Sequence, residues 1–183
     1  DSSSAHFAVY HKGAFVSQSD PNVIYLNNSS TMADDTNVWG NSSVTIDSTV
    51  FSLGDYNGTN GNGDSMVAYC FTPIEGYSQF GTYEGYAAAD GAYVITGFRP
   101  AWLMCRNLDS AGSWIIFDNK RQGFNFDNHH VMADTNAAEA DDSDIELMSN
   151  GFKCRRSSTS FNSNHSFVYM AFAEQPFKYA NAR

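Results

Sequence analysis

A chain of 183 residues can bury a sizeable core, as one domain or as two small ones. Its net charge of −10 leaves the few Lys and Arg scattered, which speaks against a phosphate-binding surface and against nucleic acid as a partner. No apolar run approaches the roughly 20 residues of a membrane-spanning helix, so no membrane insertion is expected.

Aromatic residues make up 15% of the chain, with Phe 14 and Tyr 10, and no stretch keeps a helical period. That bias favours strands. In chain order, strands are predicted at 7–11, 23–27, 49–53, 66–71, 78–86, 92–98, 101–106, 114–118, 130–133, 145–148, 151–155 and 167–172. The sequence DYNGTNGNGD at 55–64 reads as a hairpin loop, and residues 162–166 as its shorter counterpart. Residues 135–142 tolerate a helical turn. Many short strands with regular turn signals predict an all-β antiparallel β-sandwich or jelly roll.

The centre of this pattern is residues 97–118, GFRPAWLMCRNLDSAGSWIIFD, two buried strands around a polar turn. Its second half has a counterpart at the start of the chain, with Phe7 on Trp114 and Tyr10 on Phe117. At the same offset Val23-Ile24-Tyr25-Leu26 falls on His130-Val131-Met132-Ala133, and Asp34-Asp35 on Asp141-Asp142. The first copy then carries six extra residues within 37–48. Matching resumes with Val50-Phe51-Ser52-Leu53 on Gly151-Phe152-Lys153-Cys154 and ends with residues 66–71 on 167–172. One offset and one insertion describe an internal duplication. The expected domain is a single sandwich over 1–183, built from related halves at about 1–79 and 91–183 that share one core. The second copy has a strand at 101–106 ahead of the match and the first has none. Either the sequence is cut from a longer chain, or that strand is supplied from elsewhere.

Cys70, Cys105 and Cys154 all sit in strand-like runs, and two of them exchange with Ala171 and Leu53 between the copies. They are expected to be reduced, buried and inert. His129-His130 would point to opposite faces of a strand, and the acidic stretch around Asp134, Glu139, Asp141, Asp142 and Asp144 matches no established cation loop. No metal or cofactor is expected. The chain lacks GxSxG, HExxH and any phosphate-cradling glycine loop before a helix, so no enzyme is expected either.

WIIFD at 114–118, SNGF at 149–152 and the closing YMAFAEQPFKYANAR resemble the tandem β-rich repeats of structural proteins in phages of marine bacteria and cyanobacteria. AVYHK at 8–12, FSLGDYNGTNG at 51–61 and GTYEGY at 81–86 resemble the neighbouring repeat of those proteins. The resemblance implies a concanavalin A-like sandwich and a virion appendage, tail fibre or similar, assembled in the host cytoplasm. It also places this segment in the C-terminal part of a longer chain. Two functions follow as expectations. One is a non-enzymatic domain that binds host surface glycan or protein; the other is a structural module or capsid decoration that contacts only other virion proteins. A symmetric homo-oligomer is expected, a trimer above all, because closed symmetry hides strand edges. The binding residues expected for the first function are Phe124, Phe126, Asn128, Phe161, Asn162 and Asn164. They combine aromatic faces that stack on sugar rings with amides that orient hydroxyls.

Overall fold

Two runs in this sequence are apolar on both sides of a strand, PAWLMCRN and SFVYMAFA, and both form the middle of the fold. The computed structural model describes residues 6–14, 22–40, 44–122, 125, 129–142 and 145–175. Its strands are β1 (Ala8–Val9), β2 (Asn22–Tyr25), β3 (Ala33–Asp34), β4 (Ser78–Glu84), β5 (Tyr93–Ile95) and β6 (Pro100–Asn107). They continue with β7 (Ile115–Asp118), β8 (Val131–Met132), β9 (Ile145–Met148), β10 (Gly151–Cys154) and β11 (Ser166–Ala173). Every pairing is antiparallel. The fold is all-β, as expected.

β6 and β11 lie side by side in a five-stranded sheet of order β4-β11-β6-β7-β8. Strands buried on both faces lose the apolar–polar alternation, which is why these two read as continuous apolar runs. Pro100 opens β6 opposite Ala173, where the register shifts, so the missing N–H falls at an irregular end of the ladder. One face of this sheet packs on a three-stranded sheet of order β5-β10-β9. Leu103, Cys105, Phe117, Phe167 and Tyr169 meet Val94, Phe152, Cys154, Ile145 and Leu147 in a closed sandwich core. β9 (IELM) and β7 (IIFD) keep the alternation of half-buried strands.

The opposite face of the five-stranded sheet is covered by the N-terminal sheet, of order β1-β2-β3. Met104, Val168 and Trp114 pack there against Ile24 and Ala14, flanked by Val9, Leu26 and Ile116. The far side of the N-terminal sheet carries a third cluster, in which Val23, Val38, Trp39 and Val44 are joined by Ala8, Tyr10, Tyr25, Ile46 and Tyr56. The sequence reading placed both halves around one core. The structure shows one cluster in each half and a third, built from residues of both, that joins them, because β1 and β2 are apolar on both faces.

The two halves repeat the same ladder. Ala8 faces Tyr25 and Val9 faces Ile24 in the first half; at the offset of the sequence match, Ile115 faces Met132 and Ile116 faces Val131. Val23 opposite Ala33 corresponds to His130 opposite Ala140. Beyond the insertion, Ile46 opposite Phe51 corresponds to Leu147 opposite Phe152. Even a closing bond recurs: Leu26 N to Phe7 O at 2.9 Å, and Ala133 N to Trp114 O at 3.0 Å.

Several local expectations fail, two of them through a shortage of partners in the first half. Residues 49–53 make only the single bridge through Phe51, and 66–71 enter no sheet among the described residues. Residues 135–142 form no helical turn. Two unforeseen single-turn helices appear at Thr36–Trp39 (α1) and Asn57–Asn60 (α2). Asp35 caps α1 by accepting from Asn37 N, and α1 delivers Val38 and Trp39, out of the inserted region, to the first-half core.

Candidate functional site

The two loops expected to bind a ligand begin after β7 and end before β11. Phe124, Phe126 and Asn128 lie outside the described residues. Asn125, between them, works as an extra rung on the edge of β9: its Nδ2 donates to Leu147 O at 3.0 Å and its Oδ1 accepts from Leu147 N at 3.1 Å.

In the second loop the sequence reading is corrected. Phe161 is fully buried in the sandwich core, edge-on to Phe117, with its carbonyl accepting from Tyr83 Oη at 2.7 Å. Its ring face is turned to protein, so it cannot stack on a sugar. Asn162 is also fully buried. Its Nδ2 donates to Ala88 O and Arg156 O, both at 2.8 Å, and its Oδ1 accepts from Tyr86 N at 2.9 Å. With these positions occupied, Asn162 ties three segments together rather than orienting a ligand. Asn107, at the end of β6, performs the same service from the other side, donating to Thr159 O at 2.6 Å and accepting from Asp109 N and Ser110 N. Of this loop's candidates only Asn164 is exposed. A loop aromatic that plugs a core end and one that faces solvent look alike in sequence.

Several charged groups pair with one another. Arg121 bridges Asp118 (3.0 Å) and Glu139 (2.5 Å), and His129 Nδ1 lies 2.7 Å from the other oxygen of Glu139. Arg121 and then His129 hold the Glu139 carboxyl below its usual range, which keeps it ionised and unsuited to donate a proton. His130 is buried under Phe117 with Asp142 3.8 Å away. Among the described residues no three His, Cys, Asp or Glu side chains converge as metal ligands.

The thiols divide. Cys105 and Cys154 are buried and free, and burial pushes the Cys105 thiol up to about 12 and that of Cys154 well upward. Neither can form a reactive thiolate near neutrality. Cys70 is free but exposed, against the expectation that all three are buried. The run it belongs to joins no sheet among the described residues.

The residue that sequence reasoning passed over is Arg106, lodged in the apolar run of β6 and fully buried. Its Nη1 donates to Tyr25 O at 3.0 Å and Asn28 O at 2.7 Å, and its Nη2 to Ser30 O. The guanidinium lies over the Trp114 ring, 5.5 Å from its centroid, and Trp114 Nε1 also donates to Tyr25 O at 2.9 Å. A fork that reaches three carbonyls needs Arg rather than Lys. The available signal was a lone cation inside WLMCRN, where nothing else is charged. Arg106 is a joint between the halves, not a ligand site.

GTYEGY and SNGF also resolve into architecture. Gly85 packs where a Cβ would strike Ser163 O and the Phe167 ring, and Gly151 where it would strike Val94 O. Ser149 and Asn150 form the two-residue turn between β9 and β10, and Asn150 O accepts from Thr96 N and Gly97 N. Neither the curated proteins nor the solved structures contain a match to this chain. A family model described as Domain of unknown function (DUF7483) matches residues 1–176, and the chain belongs to that family.

Proposed function

We propose that this chain is a non-enzymatic module of a virion appendage, a tail fibre or similar, with a concanavalin A-like build. The reading rests on the resemblance of its repeat motifs to phage structural proteins. One observation supports one of its two forms over the other. Phe161 and Asn162, two of the second loop's three residues in the sugar site, are spent on internal packing, while large apolar side chains of the first half face solvent. That balance favours a structural module that contacts other virion proteins over a host-glycan binder. Phe124, Phe126, Asn128 and Asn164 remain the ligand candidates of the second form, and weak sites there would need the multivalency of an oligomer, a trimer for a fibre.

Antibody raised against the chain and applied to intact phage particles tests the location, with labelling of tails or fibres expected. Particles that carry the sequence in their genome yet stay unlabelled both intact and after gentle disruption would sink the virion reading. Adsorption of the purified chain to host cells separates the two forms. The structural form predicts no adsorption; adsorption abolished by Phe124→Ala and Phe126→Ala would install the glycan-binding form instead.

A further inference from the structure

In the second half, each strand of the closed sandwich has its partners. β11 runs between β4 and β6, β10 runs between β5 and β9, and β7 runs between β6 and β8. In the first half the equivalents of β7, β8, β9, β10 and β11 are all in the sequence: β1, β2, the Ile46–Phe51 bridge and residues 66–71. Among the described residues, the first half shows no equivalent of the trio β4, β5 and β6.

The exposed apolar side chains fall where that trio would lie. Phe51 and Leu53 correspond to Phe152 and Cys154, which are sealed in the second-half core; in the first half they are 43% and 38% exposed. Met66 corresponds to Phe167, sealed in the same core, and is 45% exposed against 0%. The backbone agrees with the side chains. β1 ends its sheet on the side where β7 meets β6, and residues 66–71, the equivalent of β11, have no ladder on either side among the described residues. Segment 66–71 nevertheless stays beside its counterpart, since Phe71 sits on Phe172 at 6.2 Å between centroids, and these two are equivalent positions.

We propose that the first half is a docking site for three strands of the β4–β5–β6 pattern, supplied by another repeat of this kind that is not one of the two in residues 1–183. Strands equivalent to β4 and β6 flank 66–71, the β6 equivalent also pairs with β1, and the β5 equivalent pairs with 50–53. Main-chain ladders give the affinity, and the apolar face of Phe51, Leu53 and Met66 gives the register. A second copy of this chain is a poor source: each copy holds one such trio and already uses it to close its own second half. Repeats joined in this way share strands across their boundaries, so an array of them is continuous rather than beaded. The inference stands on the internal ladder alone and does not depend on the virion reading.

Cys70 is a built-in reporter, because its equivalent, Ala171, is fully buried in the sandwich core. The test appends a copy of residues 77–107, carrying Cys105→Ala, directly ahead of Asp1 of the full chain and follows labelling by a thiol-reactive dye. The proposal expects the labelling rate of Cys70 to fall by more than about tenfold, as for a thiol reached only through opening, with a rise in melting temperature. A scrambled copy should leave the rate unchanged. Phe51→Asp should restore fast labelling in the extended chain while changing little in the original one. Undiminished labelling with the appended copy overturns the proposal, and so does equal protection by the scrambled copy. Slow labelling of the original chain at a mass above 20.1 kDa by light scattering would overturn it in favour of a second copy as the occupant.

Discussion

Phe51 and Phe152 occupy the same register position in two hairpins of the same design, one in each half of the molecule. Phe152 is enclosed by Tyr83 and Tyr169, ring edges to ring faces, at 5.6 and 5.5 Å between centroids. Phe51 has no such cage and meets solvent. The residue type, the turn and the pairing are alike; the difference is the strand opposite. Tyr83 comes from β4, and the described residues of the first half hold no equivalent of it. Burial in a sandwich is therefore a property of the facing sheet, and a strand's own sequence only makes it eligible.

The comparison breaks most sharply under truncation of these two rings. Phe152→Ala should cost about 3–5 kcal/mol, the usual range for emptying a sealed core site. Phe51→Ala should cost under about 1 kcal/mol, as at other sites that keep solvent contact. Denaturant midpoints of the two variants measure the difference, and equal losses would show that the halves are equally closed.

Arg106 is next. Arg106→Ala leaves three carbonyls and the Trp114 ring without their cation in a buried seam, so about 3 kcal/mol should be lost. Arg106→Lys should recover little, because an ammonium cannot span three acceptors held by the 25–30 loop. Since the seam joins the halves, the alanine variant should also separate unfolding into two transitions by fluorescence and circular dichroism. A single cooperative transition at the wild-type midpoint would show that the seam carries no coupling.

The pair Cys70 and Ala171 gives a smaller contrast. Ala171→Ser places a hydroxyl among apolar side chains and should cost about 1–2 kcal/mol, whereas Cys70→Ser should stay within about 0.5 kcal/mol. In the native protein one thiol should titrate rapidly, and Cys105 and Cys154 only on unfolding, consistent with burial holding both protonated. Two or three fast thiols would mean that the second-half core opens easily.

How far the sequence could be read follows from the same contrast. β6 and β11 were legible because a strand with apolar residues on both sides must be covered on both. The duplication was legible because strands, turns and the insertion recur in order. Residues 66–71 carry the same double-sided pattern as β11, so pattern alone predicted a buried strand and a buried Cys70 where partners are lacking. Phe161 failed for the opposite reason. It sits in a polar loop, yet that loop folds back under Phe117 and places its ring inside. Arg106 was hidden by its neighbours, since a cation in an apolar run reveals neither its depth nor the carbonyls of residues 25–30 that it needs. Local chemistry was readable throughout; the identity of the facing element was not.

The mildest effect expected is one of pH, at a contact that also spans the two halves. His11 follows β1, and its Nε2 lies 3.3 Å from Tyr169 O on β11 while its Nδ1 accepts from Gly13 N at 3.0 Å. Those partners require a neutral ring with the proton on Nε2, because a second proton on Nδ1 would confront the Gly13 N–H. Burial lowers the pKa of His11 below its ordinary value of 6.5, the bond to Tyr169 opposing only in part. The unfolded chain then takes up the proton at a higher pH than the folded one. Stability from this group is full above about pH 6.5 and declines as pH falls from there towards the lowered folded value. His11→Gln keeps a donor for Tyr169 O and removes the titration, so its stability profile between pH 7 and 5 should be flatter than that of the wild type. The other four histidines are present in both proteins and cancel in the difference. Parallel profiles would show that His11 is protonated freely in the folded protein and that the seam opens at that point; a steeper decline for the variant would reverse the assignment of its proton.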